Sequence, residues 1–386
     1  MHLKNDRHMK LILRLLAGIA LGILIGSIAP DSIIRFLITL KVILGSLIGF
    51  LIPFIILFFI ASGISGLGKA SGRLAGTAVG LAYGSTILAG VLAFLVGIVA
   101  VPLLTTTAEP VADQVALSPL FDLHIEPMMG VITALATAFL LGIGIAHTQS
   151  TTLKGFVDEG KRIIELTITH VILPILPFYI GFIFAELAAE ETVFTTLRVF
   201  ISVLGVVIAT HWVWLIIQYA VAGSIAKKSP LALLKNMLPA YFTAIGTMSS
   251  AATIPVTLRC AKKNGIRENI ADFGIPLCAA IHLSGSMITI VLCSLAVMSL
   301  NLNMELPGLT QMLPAILLLG LIMIAAPGVP GGAIMAALGV LTSVLGFSEA
   351  AIGLMIALYM AQDSFGTATN VTGDGAINVV LDKAAK

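Results

Sequence analysis

"NVTGDGAINVV", residues 370–380, puts two amides, an acid and a threonine close to the end of a very apolar chain. Asp363, Gly366, Thr367, Asn370 and Asp374 fall at i, i+3, i+4, i+7 and i+11, which is one stripe of a helix. Gln362, Ser364 and Thr369 flank it. The surrounding residues are apolar enough to lie in lipid, where a charged side chain at the bilayer centre costs about 2.5–3.5 kcal/mol on insertion scales. Two carboxylates on one stripe therefore face the protein interior and have partners. A structural polar seam between helices would satisfy that requirement. A ligand and ion pathway satisfies it and also accounts for the two amides. Asn370-Val371-Thr372 matches the glycosylation acceptor pattern, but a residue inside a membrane helix is not an exterior loop, so the match is false.

Outward from the stripe, the 386 residues are 58% hydrophobic and 10% charged. Soluble domains carry about 25% charged residues, so this chain belongs in a bilayer. The net charge of +2 is small and says little about partners, and no basic patch interleaved with aromatics suggests nucleic acid. Cys260, Cys278 and Cys293 lie in or beside apolar segments without CxxC spacing, which argues against a disulfide or zinc site. The basic start followed by an apolar run at 11–29 reads as a first membrane helix rather than a signal peptide, because long apolar segments keep following it.

A span needs roughly 20 mostly apolar residues. Candidates lie at about 11–29, 33–67, 74–104, 128–147, 163–187, 193–224, 268–299 and 347–382, with interrupted stretches at about 231–257 and 310–345. The intervening charges sort by sign. Lys4, Arg7, Lys10, Lys69, Arg73, Lys154, Lys161, Arg162, Lys227, Lys228, Lys383 and Lys386 mark one side. Glu109, Asp113, Asp122, Glu126, Glu190 and Glu191 mark the other. The positive-inside rule puts both termini in the cytoplasm, with Arg35, Lys41 and Arg198 as exceptions. Lys227 and Lys228 before 231–257, and Arg259, Lys262 and Lys263 after it, put both flanks of that stretch on the same side. The second stretch breaks at "PGVPGG" (327–332), leaving an arm too short to span. The expectation is an all-α integral membrane protein with eight transmembrane helices and two opposed re-entrant helical hairpins. Such breaks at membrane depth are tolerated only where protein or a water-filled cavity covers them, and opposed breaks mark transport sites.

Together "NVTGD", "GVPGGAIM" (328–335) and "SSAATIPVTLRCAKKNGI" (249–266) resemble the dicarboxylate/amino acid:cation symporters, the glutamate transporter family, which includes bacterial serine/threonine symporters. The resemblance covers nearly the whole chain. It implies a homotrimer in the cell (inner) membrane, with each subunit working as an elevator. Helices 1–2 (10–67) and 4–5 (119–188) would form a scaffold. Helix 3 (73–104) and residues 192–386 would form the moving transport domain, whose core is helix 6, hairpin 1 (about 230–257), helix 7, hairpin 2 (about 310–345) and helix 8. It further implies that Asp363 accepts a substrate's α-ammonium. Asn370 and Ser250 would meet the α-carboxylate, and Ser249, Ser286, Val329, Gly366 and Thr367 would line the rest.

The departures from the family are informative. Its acidic-substrate members place an arginine where this chain has Gly366, and eukaryotic members can place one where it has Met248. Arg is the usual bidentate partner of a carboxylate, and a buried, unpaired carboxylate is costly. The substrate expected is therefore a small neutral amino acid such as serine, threonine or alanine, which places the chain nearer the family's serine/threonine members. A sodium-coupled amino acid or dicarboxylate symporter is the alternative. The seventh-helix sodium motif N-M-D-G-T reads "HLSGS" (282–286) here, and further ligand positions read Ala280, Met323 and Ala326. Hard cations want oxygen ligands. Asn370 and Asp374 are the metal ligands that remain if sodium is retained, and His282 stands where their third partner would be. Histidine's ordinary pKa of about 6.5 makes it the side chain that changes charge near neutrality. Three readings follow: His282 and Asp374 carry a proton, residual sodium coupling persists, or His282 makes a fixed hydrogen bond in an uncoupled carrier. His170 and His211 read as satisfied polar groups, and "AYGST" (82–86) as a possible cation ligand of open register. No cofactor is expected.

Two other classes compete. A membrane enzyme would need a nucleophile–base pair or metal cluster, and neither H-E-x-x-H nor G-x-S-x-G occurs. A channel-like anion conductance is the nearer rival, but two hairpins closing over a polar site favour alternating access.

Overall fold

A computed structural model describes residues 2–67, 73–105, 117–123, 125–300, 304–324, 326 and 330–385. The described chain is helical: α1 (His2–Ile28), α2 (Asp31–Leu67), α3 (Arg73–Thr105), α4 (Val131–Thr148), α5 (Thr151–Thr167), a π-helical turn (Ile168–Ile172), α6 (Leu173–Ala189) and α7 (Val193–Ala226). There follow α8 (Pro230–Thr247), α9 (Ser250–Lys263), α10 (Glu268–Ile281), α11 (Ser284–Leu300), α12 (Leu309–Met323), α13 (Gly332–Ser343) and α14 (Glu349–Ala384).

Polarity is inverted relative to a soluble protein. Val99 on α3, Leu140 on α4 and Ile201 on α7 are 63%, 74% and 70% exposed, whereas the polar stripe of α14 is buried. An exterior this apolar is compatible only with lipid, and helices suit lipid because they satisfy their own backbone. By length and apolarity, five segments among the described residues can cross a membrane: Asp31–Gly66, Leu74–Leu104, Thr151–Ala189, Val193–Ala226 and Glu268–Leu300. Of the other expected spans, the apolar parts of α1 and α4 are shorter, and α14 reaches 36 residues while carrying the polar stripe.

Helices α1, α2, α4, α5 and α6 pack mainly on one another. So do α3, α7, α8, α9, α10, α11 and α14, and α13 bridges from α12 and α14 to α2. Helix α1 packs tightly on α6, where a Cβ on Gly22 would lie 2.2 Å from Gly181 O. Two basic residues that break the charge pattern have partners: Lys41 pairs with Glu186, and Arg35 Nε donates to Ser118 O at 3.0 Å.

Three local features differ from, or sharpen, the sequence reading. The fifth candidate, read as starting near 163, begins at Thr151, because the amphipathic helix α5 runs through the π-turn into α6. The continuous apolar run 268–299 is interrupted at His282, whose φ/ψ of −104°/97° ends α10 before α11 begins at Ser284. The stretch 230–263 folds back on itself. Ser229 caps α8, Met248 turns at φ +49°, and Ser249 Oγ accepts Ala252 N to start α9. At the far end Asn236 Nδ2 donates to Asn264 Oδ1 (2.8 Å) and Asn264 Nδ2 to Leu233 O (3.1 Å), so both ends of the pair lie together.

Candidate functional site

The site is built where these two interruptions meet α14. A free helix start leaves amide donors without partners. At the start of α11 the side chain of another helix serves them: Asn370 Oδ1 accepts from Gly285 N at 2.7 Å and Ser286 N at 3.3 Å. Asn370 Nδ2 donates to Ser286 Oγ at 3.0 Å. The helices touch closely here, since a Cβ on Gly285 would lie 2.3 Å from Gly366 O. From α7, His211 Nε2 donates to Gly285 O at 3.0 Å, so this histidine also braces the break. His170 is exposed, with Nδ1 3.0 Å from Leu166 O.

One level along the stripe, Asp363 Oδ2 accepts the Gly331 amide at 2.8 Å. Gly331 has φ +73°, and a Cβ there would meet Met360 Sδ at 2.7 Å, so the approach of the α12–α13 connection to α14 requires glycine. A cavity of about 210 Å³ opens beside these groups. Ser249, Ser250, Ser286, Asp363, Thr367 and Asn370 line it, as do Met248, Ala280 and Ala326. Six of the eight substrate positions expected from the resemblance are thereby brought together. Gly366 is not among the lining residues and instead abuts α11, and Val329 lies outside the described residues.

The third level is a buried polar chain. His282 Nδ1 lies 2.9 Å from Asp374 Oδ1, and both side chains are essentially inaccessible. His282 Nε2 lies 2.9 Å from Ser85 Oγ on α3 and 3.3 Å from Gln218 Nε2 on α7. Gln218 Nε2 in turn donates to Ser85 Oγ at 2.8 Å. A carboxylate accepts only, so Nδ1 donates to Asp374, and the Ser85 hydroxyl can donate to an unprotonated Nε2. A proton on Nε2 would make it a donor, and the chain could receive it on Ser85 Oγ, or on Gln218 Oε1 once the amide turns over, an oxygen that has no partner among the described residues. Asp374 Oδ2 also lacks one. Gly373 makes room for this contact, because a Cβ there would sit 2.7 Å from His282 Cε1 and 2.8 Å from Gln218 Oε1. Tyr219 OH donates to Thr372 O at 2.7 Å, and Asn378 Nδ2 to Asp374 O at 2.8 Å, fixing α14 around the pair.

The Ser85 contact settles which residue of "AYGST" faces the pair. Gln218 escaped the sequence reading, although a lone amide in an apolar helix is a legible signal of an interior polar site. Tyr359 and Lys161, which also line the cavity, carried no local signal.

Comparisons with known proteins agree in one direction. The sequence profile of the sodium:dicarboxylate symporter family matches residues 11–384. The serine/threonine transporter SstT of Acinetobacter baylyi is 30% identical over 267 residues, covering 66% of this chain and 64% of that protein. Excitatory amino acid transporter 1 of Ambystoma tigrinum is 29% identical over 249 residues, covering 63% of this chain and 45% of its own length. The matched stretches thus span less than two thirds of these relatives.

Proposed function

We propose, for a chain that belongs to the sodium:dicarboxylate symporter family, a family of membrane transporters and not of enzymes, that it carries a small neutral amino acid by an elevator movement. The observation that carries this reading is the cavity between α14, the α8–α9 turn and the start of α11. It combines a buried carboxylate, Asp363, with hydroxyls and an amide, and no arginine is among its described lining residues. Asp363 binds the α-ammonium. Ser250 and the free Nδ2 hydrogen of Asn370 donate to the α-carboxylate. The small volume and the alanines at 280 and 326 suit a serine, threonine or alanine side chain. Relatives that include serine/threonine transporters support the same substrate class.

The moving block is α3 and α7–α14, and the fixed block is α1, α2 and α4–α6. This division is supported by the packing preferences of the two groups. In this reading α8–α9 and α12–α13 are the two re-entrant hairpins among eight spans. Both termini face the cytoplasm across the inner membrane, and three copies assemble as a trimer.

For the coupling ion, the reading is a proton held by His282 and Asp374. Its support is the direct imidazole–carboxylate contact, where oxygen ligands would be needed for sodium, and the spent oxygen of Asn370, already shared by two amides. The experiment is uptake of labelled L-serine, L-threonine and L-alanine into proteoliposomes under separately imposed proton and sodium gradients. Concentrative uptake on a proton gradient alone, lost in His282→Asn, is the expected result. Uptake driven only by sodium overturns the proton reading, and failure of all three substrates overturns the substrate reading. Single-channel current independent of substrate would instead favour an anion conductance.

A further inference from the structure

Among the described residues lining the cavity there are two full charges, and they come from different blocks. One is Asp363 on α14; the other is Lys161 on α5. Lys161 is partly exposed, and its Nζ lies 5.4 Å from the centroid of the buried Phe59 ring on α2, a cation–π distance. Of the acids one turn away, Asp158 feels the Lys161 charge, but neither accepts a hydrogen bond from it. Asp158 is held by Lys154 Nζ at 2.8 Å and by Ser62 Oγ at 2.7 Å, and Glu165 makes no ion pair with Lys161. Lys161 thus lines the cavity with the hydrogen bonds of its ammonium unspent on any described carboxylate.

An amino acid is a zwitterion, and both its charges need compensation when water is excluded. Asp363 supplies one half. For the other half, the described residues that line the cavity from the α8–α9 turn and α14 offer only neutral donors, because Met248 stands beside the serines and Asn370 has given its oxygen to α11. We propose that Lys161 is the countercharge for the substrate carboxylate, reaching from α5 to the serine turn, and that it is a specificity-determining residue for ligands bearing a carboxylate. This rests on the reading of the cavity as the substrate site. It also makes the affinity depend on conformation, since a residue of one block completes a site held by the other.

The test uses the purified full-length protein and a ligand-induced thermal shift, with uptake as a second readout. Lys161→Gln and Lys161→Met remove the charge, the latter keeping an apolar stem over Phe59, and Lys161→Arg keeps it. Charge-assisted hydrogen bonds are among the stronger ones, so the half-saturating L-serine concentration should rise about tenfold or more in both neutral variants and recover in Lys161→Arg. Inhibition of uptake by L-serinamide, which keeps the ammonium and lacks the carboxylate, should be unchanged. A structural role would weaken both ligands alike. Wild-type L-serine affinity in the neutral variants, or equal losses for L-serine and L-serinamide, overturns the proposal. If the wild type responds to succinate and to no neutral amino acid, the substrate reading falls. The same comparison on succinate then decides the role of Lys161 independently.

Discussion

At the scale of single residues, the polar centre depends on small groups that leave room for large ones. Gly373 lies where a methyl group would press on both His282 and Gln218. Core overpacking costs about 1–3 kcal/mol, and here the strain falls on the hydrogen bonds that hold the imidazole. Gly373→Ala should therefore fold, melt a few degrees lower and lose gradient-driven uptake by about tenfold, more than a stability loss within that range accounts for. Uptake equal to wild type in proteoliposomes would show that the contact between α14 and the imidazole is not needed for coupling. Asp363 and Asp374 sit about three turns apart on one helix face, yet their partners differ. One meets a backbone amide at the edge of the cavity, and the other meets an imidazole beneath it. That difference underlies the separate roles assigned to them.

At the scale of elements, the turn between α8 and α9 is held by side-chain chemistry rather than by glycine. Met248 adopts φ +49°, while Ser249 caps α9 and Thr247 Oγ1 lies 2.9 Å from Thr253 Oγ1 across the turn. The left-handed conformation costs an L-residue roughly 1–2 kcal/mol, and more when the side chain is β-branched. Met248→Ile should lower the melting temperature and weaken substrate-induced stabilisation, whereas Met248→Gly should preserve both. A Met248→Ile variant as stable as wild type would mean that the turn relaxes when freed of this constraint. The His282 break works similarly. The amides of α11 are served by Asn370 from α14, so two interrupted elements and one continuous helix interlock.

At the scale of the whole molecule, the apolar exterior and the sign-sorted charges make a topological prediction. Cys260, Cys278 and Cys293 are buried, so the natural chain should give little background with a membrane-impermeant thiol reagent. Single cysteines at Lys235 and Glu126, both exposed, should be labelled from opposite sides of sealed, oriented vesicles, Lys235→Cys from the cytoplasmic side. Labelling of both from the same face would overturn the arrangement of spans. The bonds that tie Arg267 to Asp382, with Nε to Oδ1 at 2.8 Å, join the start of α10 to the end of α14. Those two ends should therefore be protected from the same side.

Membrane residence, the helical class, the polar stripe of α14 and the doubling back of the stretch at about 231–257 were all legible in residue order. They follow from composition, period and the sign of nearby charges, which are local properties. The interruption at His282 was not, because the hydropathy of 268–299 is continuous and the amides freed there are satisfied by a residue 85 positions away. The same holds for the partners of His282. A serine on α3 and a glutamine on α7 become its neighbours only when three helices close around α14. Sequence alone identified the acids and the asparagine of the site, and missed its glutamine. Tertiary packing decided which of them line a cavity, which are spent holding helices together, and that a lysine from the other block stands at its edge.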